Sequence, residues 1–284
     1  MVLHKKNNDL TLLHNKLLEI LSYIHVFCQE NKLDYSLAYG SALGAKRHKG
    51  FIPWDDDADI YMTWEAYKKF RLLFKEKGDK QKYYLQELGA LGQFPGTAKL
   101  RMNNTTFIEP LYKNYDMHQG VFVDIFILCD APDSYIKRLK MQIANQYLTL
   151  KGLSNRFYNR RKLFLPLLAF LRLFPKNFLR EKAMSVIIKT GKENSNDVFD
   201  SELRIFARSF YPRNWIFPTQ KVEFGGKKLY IPGQVEKYLE HIYGDYMRIP
   251  NEEEIAWTVH AEQWSATEDF RKILSVTNDF KDEK

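Results

Sequence analysis

The sequence predicts an α+β fold with an additional basic helical region. Three observations predict it. Residues 10–28 carry apolar side chains at helical spacing. Four segments between residues 35 and 128 read as short apolar or alternating strands. Residues 133–190 read as mainly helical and basic. With 45% hydrophobic and 27% charged residues over 284 positions, the chain has ample material for a core, which excludes general disorder.

In the first element Leu10, Leu13, Leu17, Ile20, Leu21, Ile24, Phe27 and Cys28 recur three and four apart, the pattern of a helix with one apolar face, and Asp9 is its expected N-cap. Tyr35 to Tyr39 reads as a buried strand broken by Gly40-Ser41, and Ala42 to His48 as a short helix. Pro53 biases Ile52 toward extended backbone, so Phe51 to Trp54 is a loop. Asp57 to Met62 alternates charged and apolar residues, as a strand with one carboxylate-bearing face would. Thr63 is placed to cap a helix running to about Lys77. Residues 97–101 and 120–128 are two further strands. The second is β-branched and aromatic from Val121 to Ile127 except for Asp124, as expected of a strand buried on both faces. Later, residues 228–231 suggest a short strand. Val235, Leu239, Ile242 and Tyr243 mark a helix stopped by Gly244, and an acidic tail from Glu252 holds Trp257 and Trp264.

The two cysteines, Cys28 and Cys129, form neither a disulfide framework nor a zinc spacing and read as buried small hydrophobes, which fits a reducing cytoplasm. The N-terminus lacks the apolar centre of a signal peptide, and no run of about 18 apolar residues exists to span a bilayer. The net charge of +8 is local: residues 151–190 hold ten Lys and Arg against Glu181 alone, so the remainder is close to neutral. Such a stretch argues for a surface that meets anions rather than for a nucleic-acid-coated protein. Within it, Leu163 to Phe174 is apolar and flanked by Arg and Lys. It fits either a buried helix of a helical subdomain or an interfacial segment on anionic lipid, and residues 156–182 are the expected contact with the inner face of a membrane.

Three features carry chemistry. Gly40-Ser41 lies at a strand-to-helix junction, Asp57 and Asp59 stand two apart on a strand, and Asp124 interrupts an apolar strand. Residues two apart on a strand project side by side, and two such carboxylates repel unless a cation lies between them. An ionised Asp124 among apolar neighbours needs a buried lysine or a metal. If the two strands adjoin, three carboxylates converge, and hard oxygen donors favour Mg²⁺ or Mn²⁺ over zinc. Taken singly these features are ordinary: an acidic turn, an ion pair, a flexible dipeptide. Their combination is what points to a site.

The stretch from Tyr35 to Met62, containing Tyr-Gly-Ser-Ala-Leu-Gly and Trp-Asp-Asp-Asp-Ala-Asp-Ile, resembles the signature of the LicD family, which includes the fukutin-type proteins. His118-Gln119-Gly120-Val121-Phe122-Val123-Asp124-Ile125-Phe126 is similar to its second motif. Pro232 to Tyr246, with Tyr243-Gly244-Asp245-Tyr246, resembles its C-terminal one. The resemblance implies a nucleotidyltransferase-like mixed sheet flanked by helices. With the change to a mainly helical, basic character after Asp130-Ala131-Pro132, the chain divides into a catalytic core at 1–130, a basic helical region at 131–195 to which the resemblance does not extend, and a C-terminal α+β part at 196–284 that completes the site. It implies transfer of phosphocholine from CDP-choline to a sugar hydroxyl of teichoic acid or another lipid-linked, cell-surface glycan precursor, with Mg²⁺ as cofactor and Mn²⁺ as a substitute.

On this reading Asp57, Asp59 and Asp124 are catalytic residues and metal ligands, and Asp124 accepts the proton of the acceptor hydroxyl. Backbone N–H groups at Gly40 and Ser41 cradle phosphate at a helix start. Lys99 and Arg101, which share a strand face, meet the diphosphate or form an edge face. Arg47, His48 and Lys49 face substrate or pair with Asp55 and Asp56. Trp54, with Tyr39 and Tyr61 nearby, lines a box for the trimethylammonium group, over which Trp257 and Trp264 fold. His118 reads as structural rather than catalytic.

Three alternatives differ in class. A metal-dependent glycosyltransferase shares Asp-x-Asp but needs neither Gly40-Ser41 nor Asp124. Transfer of another phosphoryl group, such as ribitol phosphate, would use the same site. A non-enzymatic lipid or nucleic-acid adaptor would rest on the basic segment, but three aspartates at one site repel phosphate, so nucleic acid is not an expected partner.

Overall fold

A computed structural model describes residues 10–89, 97–110, 112–155, 178–191, 195–203, 205–256 and 258–279. The expected interfacial segment Leu163 to Phe174, most of the basic stretch, Asp9 and Trp257 lie outside the described residues.

The described helices are α1 (Thr11–Glu30), α2 (Tyr39–His48), α3 (Trp64–Lys77), α4 (Tyr135–Asn155), α5 (Phe178–Thr190), α6 (Phe206–Ser209), α7 (Val235–Tyr243), α8 (Glu252–Ala256) and α9 (Phe270–Asp279). The strands are β1 (Ser36–Leu37), β2 (Asp59–Thr63), β3 (Tyr83–Gln86), β4 (Thr97–Met102), β5 (Thr106–Ile108), β6 (Phe122–Asp130), β7 (Asp197–Asp200), β8 (Phe210–Pro212), β9 (Gln220–Phe224), β10 (Lys227–Ile231) and β11 (Gln263–Ser265). The fold is α+β, a mixed sheet flanked by helices.

The main sheet runs β1-β2-β6-β4-β3, and β7 with β8 extends the β4 edge of β6 beyond the point where β4 begins. β2 and β6 are parallel, while the other pairings are antiparallel. Alternation along the strands sends Ile60, Ala98 and Ile125 to one face and Asp59, Lys99 and Asp124 to the other. On the apolar side α1 packs on β4 and β6, and α3 on β2 and β6. Ring contacts between Phe27 and Phe70 and between Tyr23 and Phe74 lock the two helices together. The buried stripe of α1 is Leu13, Leu17, Ile20, Leu21, Ile24, Phe27 and Cys28, the face its spacing predicts. Removing a leucine- or isoleucine-sized side chain from water contributes about 1.5–3 kcal/mol, so this stripe is a principal source of the sheet's cover.

Local signals are followed closely at several ends. The Thr63 hydroxyl accepts from the Ala66 N–H at the start of α3, and α7 stops at Gly244 with φ of 71°. The strand expected at 228–231 pairs as β10 with β9. Both cysteines are buried and free.

Other boundaries move, each for a tertiary reason. The N-cap position of α1 is Leu10, without a side-chain cap. The strand expected at Tyr35 to Tyr39 shrinks to β1, and the following helix begins at Tyr39 rather than Ala42. The Tyr39 N–H donates to the Tyr238 hydroxyl and the Ala42 N–H to the Ala38 carbonyl, so Gly40 and Ser41 join the first turn. The strand expected from Asp57 begins at Asp59 instead. Pairing with β1 reaches only Ile60 and Tyr61, which leaves Asp57 in the preceding loop. No helix among the described residues is long and apolar enough to cross a membrane.

Candidate active site

Three adjacent strands set the floor of the site. Asp59 on β2 lies opposite Asp124 on β6, and Asp124 lies opposite Lys99 on β4, so register alone puts two carboxylates and an ammonium in one row. Asp57 reaches the row from its loop: ligand oxygens of Asp57, Asp59 and Asp124 all lie within 4.8 Å of one another.

The junction at Ala58 and Asp59 is pinned from three directions. The Asp59 N–H donates to Ser41 Oγ at 2.9 Å. The Ala38 N–H donates to the Asp59 carbonyl and the Asp124 N–H to the Ala58 carbonyl. Gly40 is fixed by space: a Cβ there would stand 2.5 Å from Asp55 Oδ2. The glycine–serine pair thus admits one aspartate and anchors another.

Lys99 Nζ stands 3.1 Å and 3.2 Å from the two Asp124 oxygens, 3.6 Å from Glu109, and 3.4 Å from the centre of the Phe122 ring. Of the two partners expected for Asp124, the buried lysine is present, and two further carboxylates converge beside it. Asp56 lies beside Asp57, with ligand atoms of Asp56, Asp57 and His260 within 4.8 Å of one another. It accepts from the backbone N–H groups of His260 and Ala261 and from His260 Nδ1, tying down a loop 204 residues distant. His260 Nδ1 also lies 3.2 Å from Asp57 Oδ2.

Burial first, and the mutual repulsion of the carboxylates second, hold Asp55 and Asp59 well above the usual carboxylate range. Burial pushes Asp57 up to about 6 against the pull of His260, and burial likewise raises Asp124 against Lys99. For His260 burial favours the neutral ring, yet the Asp56 hydrogen bond and the charges of Asp57, Asp56 and Asp55 outweigh it, bringing the group up to about 10. Asp55, Asp57, Asp59 and Asp124 thus crowd together facing Lys99 and His260 as the neighbouring cations. The surplus of negative charge and the all-oxygen donor set fit a hard divalent cation held by Asp57, Asp59 and Asp124.

A cavity of about 920 Å³ opens over this row. Of the residues singled out in the sequence, Gly40, Arg47, Trp54, Asp57, Asp59, Lys99 and Asp124 line it, and so does Tyr39. Arg47 Nη1 donates to the carbonyls of Tyr246 and Arg248 and has no ion-pair partner among the described residues. Others are placed elsewhere. Ser41 is buried and serves the backbone of β2. His48 packs edge-on against Trp54 from outside. Lys49 is exposed, in a left-handed conformation at the end of α2, where its carbonyl accepts from Gly225. Arg47, His48 and Lys49 form no ion pair with Asp55 or Asp56 among the described residues.

Arg101 shares the face of Lys99 but is 1% exposed. It donates to Gln86 Oε1 and the Gly120 carbonyl and stacks under Phe122, so it braces the floor rather than reaching the cavity. Tyr61 lies under the floor, bound to Asp200. Trp264 is buried in the core on β11 and does not fold over the site. His118 stacks on Tyr84 and hydrogen-bonds Asn103.

The cavity also draws on residues not named as site candidates from the sequence, among them Glu109, Glu202, Tyr243, Tyr246, Arg248 and His260. Tyr243 and Tyr246 lie within a quoted motif; His260 sits in the acidic tail with no local signal.

Two carboxylates on a parallel strand pair, with a third from the loop before it and a glycine–serine helix start behind them, form the arrangement expected of a nucleotidyltransferase-type site. Residues 32–151 match the family model described as LicD/FKTN/FKRP, nucleotidyltransferase domain. Over those residues the chain is similar to the LicD family. Among similar proteins is the lipopolysaccharide cholinephosphotransferase LicD of Haemophilus influenzae, 28% identical over 250 residues that cover 84% of this chain and 91% of the relative. An uncharacterized protein of Rickettsia typhi is 34% identical over 70 residues, 24% of this chain and 23% of that protein.

Proposed function

We propose that this protein is a divalent-cation-dependent transferase that moves phosphocholine from CDP-choline to a hydroxyl of a teichoic acid or other cell-surface glycan precursor. The observation that carries the reading is the convergence of Asp57, Asp59 and Asp124 beside Lys99 in a cavity large enough for a nucleotide. Likeness along most of the chain to a protein named as a cholinephosphotransferase supports phosphocholine as the group transferred.

Asp57, Asp59 and Asp124 would hold Mg²⁺, or Mn²⁺ in its place, which supplies neutralisation of the donor's diphosphate when bound. The chain's own residues do the rest. Asp124 takes the proton of the acceptor hydroxyl. The acceptor oxygen bonds to the phosphorus of phosphocholine as the bond to the CMP oxygen breaks, and CMP departs with that electron pair. Lys99, fixed between Asp124 and Glu109, keeps a positive charge beside the transferred group. Arg47, anchored to two carbonyls, offers the charge that balances CMP. Positioning and charge neutralisation provide most of the acceleration in such transfers. The ten basic residues of 151–190 support peripheral contact with an anionic membrane bearing a lipid-linked acceptor.

The test is calorimetric titration with CDP-choline, CDP-ribitol, CDP-glycerol and UDP-sugars, each with Mg²⁺, with EDTA and in Asp57→Asn. Selective, metal-dependent binding of CDP-choline that is lost in the variant is the expected result. Preference for another donor replaces the substrate, and no nucleotide binding by the folded protein overturns the enzyme reading.

A further inference from the structure

We propose that the quaternary ammonium group of the donor is held in a corner formed by Tyr39, Phe126 and Glu202, one strand row beyond the carboxylates, and not by Trp54. The proposal rests on the reading of the site as a phosphocholine transferase and adds where its head group lies.

The corner follows from register. Two residues beyond Asp124 on the same face of β6 comes Phe126, and its cross-strand neighbour on β4 is Thr97. Two residues on a strand cover about 6.6 Å. A phosphoryl group over Asp59 and Asp124 would therefore extend the two-carbon arm of choline across to Phe126. There the Tyr39 and Phe126 rings stand with centroids 5.0 Å apart at 80°, two walls of an aromatic corner. The third wall is anionic: β7 ends beside the start of β4, and Thr97 Oγ1 donates to Glu202 Oε1 at 3.2 Å. All four residues line the cavity. Aromatic faces with a nearby carboxylate are the chemistry that recognises a cation too bulky and too methylated to donate hydrogen bonds.

The corner is built in advance by one buried group. Asp200 Oδ2 accepts the Tyr39 hydroxyl at 2.6 Å, and its Oδ1 accepts the Glu202 N–H at 3.0 Å. A single carboxylate thus orients two of the three walls. Elsewhere in the cavity Trp54, Tyr243 and Tyr246 line the wall together with Arg47, which donates to the Tyr246 carbonyl and has no ion-pair partner among the described residues. Aromatic faces beside a guanidinium suit the base and phosphate of the nucleotide.

The test compares the affinities of CDP-choline, CDP-ethanolamine and CMP, with Mg²⁺, for the full chain and for Glu202→Gln, Phe126→Leu and Trp54→Ala. The expected result is a wild-type preference for CDP-choline over CDP-ethanolamine that falls about tenfold in Glu202→Gln and in Phe126→Leu while CMP affinity holds. In Trp54→Ala the preference is kept and both donors and CMP weaken together. Loss of preference in Trp54→Ala with retention in the other two overturns the corner but leaves the transferase reading intact. A wild-type protein that binds CMP yet shows no preference for CDP-choline overturns both. Retained CMP binding certifies the fold of Glu202→Gln and Phe126→Leu, an unchanged thermal unfolding midpoint certifies that of Trp54→Ala, and Glu202→Gln, nearly isosteric, decides the matter if Phe126→Leu loses CMP binding.

Discussion

Asp56→Ala tests whether one buried carboxylate closes the site. The Asp56 side chain is 1% exposed and accepts from the His260 N–H at 3.0 Å and 2.9 Å, the Ala261 N–H at 2.8 Å and His260 Nδ1 at 3.1 Å. Hydrogen bonds to a charged acceptor are worth about 1.5–3 kcal/mol each. The imidazole is half-exposed and adds little, so the two backbone donors dominate. Because the freed loop can turn those donors to water, the lower end of the range applies, a loss of about 3 kcal/mol. In a chain of this length that corresponds to a fall in Tm of about 5–10 °C. Asp56→Asn keeps one accepting oxygen and should lose about half as much. Urea and thermal unfolding measure both, and donor titration should show weakened binding because His260 lines the cavity. If Asp56→Ala lies within about 0.5 kcal/mol of wild type, the clasp does not hold the loop.

Three further outcomes are expected. Gly40→Ala would place a methyl group 2.5 Å from Asp55 Oδ2, and the resulting overpacking should cost about 1–3 kcal/mol in urea unfolding, with weaker donor binding; an unchanged protein would show that Asp55 yields freely. His118 is lowered from 6.5 to about 4, by burial first and by Arg101 and Arg271 next. The fold therefore favours its neutral ring, and the stability this contributes is complete above pH 6.5 and lost as pH falls toward about 4; a pH–stability curve in that window should flatten in His118→Gln, and an unaltered slope would assign the effect to other groups. Flotation with anionic vesicles should capture the protein at low salt and release it at high salt through residues 156–182, whereas no capture at low salt would rule out the membrane contact.

What was legible in the sequence was whatever depends on neighbours a few residues away. The α1 stripe, the Thr63 cap, the Gly244 stop and the apolar run around Asp124 each obey a local rule, and each appears in the structure. The convergence of Asp57, Asp59 and Asp124 was also readable, because it requires only that two strands adjoin. What escaped depends on distant partners. Nothing near Asp56 announces His260, and an acidic triplet before a strand looks the same whether it is solvated or clasped. Lys99 and Arg101 alternate on one strand and seemed equivalent. Gln86 and the Gly120 carbonyl capture Arg101 beneath Phe122, while Lys99 reaches Asp124. Tyr39 was placed near the metal motif, but its hydroxyl is claimed by Asp200, a residue that no motif contains.

Asp200 also shows why burial of a carboxylate does not by itself mark chemistry. It is 2% exposed, in the same sheet as Asp124, and burial raises its pKa as it raises that of Asp124. The difference lies in what surrounds each charge. Asp200 accepts from the hydroxyls of Tyr39, Tyr61 and Tyr211 and from the Glu202 N–H, so its lone pairs are satisfied by neutral donors and it can only hold things in place. Asp124 is crowded by Asp57 and Asp59 and balanced by the single ammonium of Lys99, an arrangement that is costly until another cation arrives. One sheet therefore carries two kinds of buried carboxylate a few residues apart. The satisfied one fixes the walls, and the unsatisfied set is where a metal and a phosphate would be drawn.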